Sequence, residues 1–178
     1  MASNFELDGD LPVYKNALVA RPVVAWIGKI FDLIENYTEQ FNNRLGLAGT
    51  LISVQRPSFH HVGCLEGSRD WMNEEERILY EGHITMPQWS MVIRGREYEV
   101  DLFMVPSNLL LGFSSNSYGE SDFPTLARVN LSEFVSSKAV VHYKENQENI
   151  RCVLGDESLP ELVQYLLRQL IQANFSVA

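Results

Sequence analysis

His60, His61, Cys64 and Glu66 fall within one run, HHVGCLE, and supply imidazole, thiol and carboxylate, groups that bind metals or pass protons. On an extended backbone successive side chains point to opposite faces, so His60, Cys64 and Glu66 share one face and His61 takes the other. The adjacent histidines therefore do not reach one ion without a bend. His83 would add a third imidazole if its strand lay alongside, since zinc takes imidazole and thiolate at about 2.0 to 2.3 Å. The spacing fits no metal signature, and neither a metal nor a cofactor is expected. Cys64 and His60 are poorly placed as nucleophile and base, because four residues of strand separate their backbones by about 13 Å. These residues support one alternative reading: a small-molecule enzyme or ligand-binding domain with a pocket bordered by His60, His61, Cys64, His83 and Tyr118.

A second set of reactive groups is acidic. Glu97, Glu99 and Asp101 occupy alternate positions, with Glu81 a candidate neighbour. Two carboxylates about 5 to 9 Å apart divide acid and base work in glycoside chemistry, and several together hold a hard cation. Arg94, however, pairs naturally with Glu97 across a turn. Phe103 follows at the same period of two, and an apolar side chain on a polar face is either buried by another element, here the long connection over 106–124, or marks a binding patch. Glu99, Asp101 and Phe103 are therefore the candidate binding face, and the leading expectation is a non-enzymatic protein-binding, adaptor or regulatory domain.

Composition narrows the partners. The chain has 178 residues, 46% of them hydrophobic and 21% charged, which favours a folded chain over a disordered one. Its formal net charge of -9 opposes approach to nucleic acid or anionic lipid. The densest basic pair, Arg94 and Arg96, is followed at once by Glu97, Glu99 and Asp101. A protein partner fits this charge better, and self-association into a homo-oligomer is compatible with it. The N-terminal residues lack the positive flank and apolar run of an export signal, and no apolar stretch is long enough to span a bilayer. Cys64 and Cys152 have no CxxC partner, so the expected setting is cytoplasmic and reducing, with both thiols free.

The elements that must position these groups read as an α+β fold, an antiparallel sheet of about five or six strands packed against long N-terminal and C-terminal helices. Residues 1–21 form an irregular arm, and residues 22–178 a single domain. From Pro22, the spacing of Val23, Ile27, Ile30, Phe31, Ile34, Tyr37 and Phe41 predicts a core helix ending near Arg44 to Gly46. Thr50–Val54 predicts a strand stopped by Arg56 and Pro57, and Phe59–Leu65 another short one. Alternation predicts strands over Tyr80–Met86, Trp89–Arg94 and Glu97–Val105. A two-residue turn at Gly95 and Arg96 would set Ile93 opposite Tyr98, Met91 opposite Val100 and Trp89 opposite Leu102. Residues 112–124 read as a long connection and 125–136 as a place for a short helix. Ala139–Tyr143 and Ile150–Leu154 form a hairpin around a six-residue turn. Ser158 and Glu161 have capping-box spacing ahead of the stripe Leu159, Leu162, Val163, Leu166, Leu167, Leu170 and Ile171.

Overall fold

The three- and four-residue spacing that begins at Pro22 builds helix α1, Pro22–Leu45, and Gly46 ends it at a φ of 58°, where a side chain would be strained. The computed structural model describes residues 22–46, 51–59, 80–96, 98–114, 120–135, 138–145, 148–155 and 157–176. Val23, Ile27, Ile30, Phe31 and Ile34 of α1 are buried, while Lys29, Asp32, Asn36, Glu39 and Asn43 face solvent. Against this apolar face lies a seven-stranded antiparallel sheet in which every strand pairs with its neighbours in the chain. The strands are β1 (Ser53–Phe59), β2 (Tyr80–Thr85), β3 (Trp89–Gly95), β4 (Glu99–Pro106), β5 (Thr125–Val135), β6 (Lys138–Glu145) and β7 (Glu148–Leu154). Two short turns of helix surround α2 (Leu110–Ser114) in the connection between β4 and β5, and α3 (Leu159–Phe175) closes the chain. The α+β class and the flanking helices are those expected. Among the described residues no helix is long and apolar enough to cross a membrane.

The extra strand comes from residues 125–135, where a helix was expected. Ala127, Val129 and Leu131 are buried at every second position while Arg128 is exposed, the period of a strand. At one edge of the sheet β1 begins later than expected and continues through Pro57. Proline is tolerated there because an edge strand has one unpaired side, and the register shifts between Gln55 and Ser58. The β6–β7 hairpin is also tighter than six turn residues, since pairing extends to Glu145 and Glu148.

The β3–β4 hairpin keeps its predicted faces but not its register. Met91 stands opposite Met104, Ile93 opposite Leu102 and Gly95 opposite Val100. Gly95 is thus a strand residue, and the chain reverses after Arg96, whose N–H donates to the Glu99 carbonyl at 2.8 Å. The reason lies in α1: a Cβ on Gly95 would overlap Ile27 and approach Val23 Cγ2 to 3.0 Å, so the glycine is required beneath the helix. The displacement is by an even number of residues, which leaves each side chain on its predicted face.

At α3 the stripe of Leu159, Leu162, Val163, Leu166, Leu167 and Leu170 is buried as expected. Ser158 occupies the cap position without a capping bond to the helix; its Oγ instead accepts from the Gly155 N–H at 3.0 Å. The far end of α3 is clamped to the sheet by Asn174. Its Oδ1 accepts from the N–H groups of Gln88 and Trp89 at 2.9 and 3.0 Å, and its Nδ2 donates to the Trp89 carbonyl at 3.1 Å.

The sheet face turned away from α1 and α3 carries a second, smaller core. Val92, Phe103, Val105 and Phe113 are buried together, with Leu109, Leu110 and Phe123 around them. Phe113 of α2 packs on Phe103 and Phe123 at ring-centre distances of 5.4 and 5.1 Å, in the tilted geometries that aromatic pairs favour. This covering segment is tied down at both ends. The Ser107 N–H donates to the Gln88 carbonyl at 2.9 Å, and the Met104 N–H donates to the Pro124 carbonyl at 3.1 Å.

Candidate functional site

Strand register places charged residues of alternating sign in one row across the sheet. Glu81 of β2 stands opposite Arg94 of β3, Arg94 opposite Asp101 of β4, and Asp101 opposite Arg128 of β5. The row continues through His142 of β6 to Arg151 of β7, both exposed. Its centre lies under the β4–β5 connection, where Arg94 retains 1% exposure and Asp101 none. Burying a guanidinium is costly unless its donors are satisfied. Arg94 meets that demand by donating to Glu81 Oε2 at 2.7 Å, Glu120 Oε1 at 2.9 Å and the Phe113 carbonyl at 2.8 Å. Its guanidinium carbon also lies 3.9 Å from the centre of the Phe113 ring.

The neighbouring charges close the network. Asp101 accepts from Arg96 and, at 2.6 Å, from Arg128 Nε, while Arg96 also reaches Glu120. Arg128 holds its proton more tightly than an isolated guanidinium, first through the hydrogen bond to Asp101 and then through the charges of Asp101, Glu99 and Glu120. Among the described residues no buried side-chain nitrogen or oxygen lacks a hydrogen-bond partner. The cluster therefore acts as an internal fastener between the sheet and its cover.

His83 sits at the edge of this network, with Nε2 2.8 Å from Glu81 Oε1 and 3.2 Å from Ser114 Oγ. A serine relay needs the hydroxyl on one ring nitrogen and the carboxylate on the other. Here both meet the same nitrogen, so the three side chains do not form that relay. Burial would raise the Glu81 pKa, but hydrogen bonds from His83, Ser114 and Arg94, with the Arg94 charge, outweigh it and hold the carboxyl at about 2. Glu81 is therefore a permanent anion near neutrality rather than a proton donor. Among the described residues no group of three or more His, Cys, Asp or Glu is arranged to hold a metal ion.

The residues singled out from sequence are distributed as follows. Glu99 is half-buried, Asp101 is fully buried and Phe103 is 1% exposed. Of the two readings of Phe103, burial by the connection after β4 is the one found: α2 and its flanking turns roof this face, Phe103 belongs to the second core, and Asp101 and Phe103 are not open to a partner. His83 is brought to Glu81 and Ser114. His60, His61, Cys64 and Tyr118 lie outside the described residues.

A concave surface of another kind lies between the two long helices. Asn42 of α1 positions one wall: its Oδ1 accepts from the N–H groups of Leu51 and Ile52, each at 3.2 Å, and its Nδ2 donates to the Ile52 carbonyl at 3.0 Å. Ile52 is thereby held against Tyr37, Phe41 and Arg44 of α1, and Gln164, Leu167, Arg168 and Ile171 of α3 face them. Gln164 Nε2 donates to the Tyr37 hydroxyl at 2.9 Å, joining the helices. The groove encloses about 360 Å³, within the lower range of ligand-sized sites.

No family model, curated protein or solved structure matches the chain. Among the described residues two places stand out, a closed ionic row and an open groove. Sequence reasoning missed both. The signal for the row was present in the alternating signs of Glu81, Arg94, Asp101 and Arg128 on four successive strands. The signal for the groove was Arg44 and Arg168, each one helical turn from an apolar groove residue, Phe41 or Ile171, at the boundary of an apolar stripe.

Proposed function

We propose that this chain is a non-enzymatic protein-binding module, of the adaptor or regulatory kind, and that its partner seats in the groove between α1 and α3. The supporting observation is the contrast between the two polar regions. In the covered row each carboxylate and guanidinium is already engaged by another side chain, whereas the groove presents the half-buried Tyr37, Phe41 and Ile171 beside polar groups and opens to solvent. Binding surfaces combine an apolar centre with a polar rim in this way. In the His83 cluster the Ser114 hydroxyl and the Glu81 carboxylate compete for one ring nitrogen, which is not the arrangement of a serine relay.

The reading is tested by affinity capture at moderate salt with the wild-type chain and with Ile171→Glu, which puts a charge into the half-buried groove wall. The expected result is a protein retained by the wild type and lost from the variant, with circular dichroism showing both folded. Equal retention would place the interface elsewhere, and repeated recovery of nothing would reject the module.

A further inference from the structure

We infer that the groove between α1 and α3 selects an acidic, amphipathic peptide segment of a partner protein, and that Arg44 and Arg168 determine that specificity. The inference rests on the protein-binding reading above and specifies the chemistry of the partner.

The first observation is a local inversion of charge. The chain carries 23 acidic against 14 basic residues, yet the described residues that line the groove include two arginines and no Asp or Glu. The second is that these two differ from the other described arginines. Arg56 is paired with Asp32 and Glu35, Arg94 with Glu81 and Glu120, Arg96 with Asp101 and Glu120, and Arg128 with Asp101. Arg151 is engaged as well. Arg44 and Arg168 are exposed and have no hydrogen-bond or ion-pair partner among the described residues. In a chain with a surplus of carboxylates, two guanidiniums that no described carboxylate engages, beside one apolar groove, make the groove complementary to an external anion.

The shape decides which kind of anion. Small-molecule sites commonly enclose about 70 to 90% of their ligand, whereas this groove is open along one side. Its apolar lining, the half-buried Tyr37, Phe41 and Ile171 over the buried Ile52 and Leu167, suits a few bulky side chains from a segment whose other face stays in water. A guanidinium presents a planar fork of donors that fits a carboxylate in bidentate geometry, so Asp or Glu next to those side chains completes the match.

The test uses a displayed library of random helix-forming peptides selected on the full chain. Survivors are titrated by fluorescence anisotropy against the wild type, Arg44→Gln/Arg168→Gln and Arg44→Glu/Arg168→Glu. Because both arginines are exposed and unpartnered, the variants are expected to keep the wild-type circular dichroism and thermal midpoint. Survivors should combine Leu, Ile or Phe with Asp or Glu and lose about tenfold or more in affinity on charge reversal. The neutral variants should fall between, and exchanging the peptide's acids for Lys should restore binding to the reversed variant. Peptides that lack acidic residues, or that bind all three proteins alike, would overturn the inference while leaving a peptide-binding module in place. Failure to select any peptide would overturn the module reading too.

Discussion

Ile27 of α1 fills the space that a side chain on Gly95 of β3 would occupy. A Cβ added there would overlap Ile27 Cδ1 and stand 3.0 Å from Val23 Cγ2, so the first two turns of the helix rest on the bare backbone of the strand. That contact sets how far β3 must extend before the chain reverses, and hence the β3–β4 register.

Gly95→Val is therefore expected to destabilise the fold by about 1 to 3 kcal/mol, the range for overpacking a filled core. Ile27→Ala alone should cost about 2 to 5 kcal/mol by opening a cavity. Combined, the two should cost less than their sum, because each relieves the fault of the other. Urea denaturation of the four proteins measures this coupling; strict additivity would mean that the side chains do not compete for one space.

Arg94→Met should cost about 3 to 5 kcal/mol, since it leaves Glu81 buried without its guanidinium and the Phe113 carbonyl without a donor. Arg94→Lys should recover only part of the loss, because one ammonium does not reproduce the planar fork that reaches Glu81, Glu120 and Phe113. A loss below about 1 kcal/mol for the methionine variant, read from urea midpoints, would show that the row behaves as a solvated surface pair.

Acid should weaken the fold through Glu81. Its pKa falls from 4.5 to about 2 on folding, so its contribution is present above pH 4.5 and is lost as pH falls towards 2. The sign follows from linkage: between those values the unfolded chain binds the proton more readily and unfolding gains. The contribution is on the order of 3 kcal/mol. Between pH 5 and pH 2, Glu81→Gln should show a shallower loss of urea resistance than the wild type. Parallel acid profiles for the two proteins would remove Glu81 as a source of the pH dependence.

The legibility of this fold in its sequence depended on whether a local period had one interpretation. Val23 to Phe41 and Leu159 to Leu170 repeat at helical spacing over several turns, and no strand produces that pattern. Met91, Ile93, Leu102 and Met104 alternate clearly enough to assign faces, but alternation is unchanged by an even displacement, so the register awaited the contact of Gly95 with α1. Asp101 and Phe103 were harder. A polar residue alternating with apolar ones reads as solvent-facing until its partners are known, and those partners, Phe113 and Arg128, lie beyond the strand, in the connection that follows it and in the next strand. Arg44 and Arg168 belong to helices joined only by tertiary packing, so their common groove has no local signature.

The sequential strand order is built from links of very unequal length. Links of two residues, 136–137 and 146–147, join β5 to β6 and β6 to β7, whereas β1 and β2 are separated by residues 60–79. Closing a loop costs chain entropy that rises with its length, so the short hairpins can form before β1 has met its neighbour. β1 is also the strand that Asn42 and Arg56 tether to α1, through Ile52 and through Glu35. Ile52 leads directly into β1, so the chain that enters the edge strand also supplies one wall of the groove.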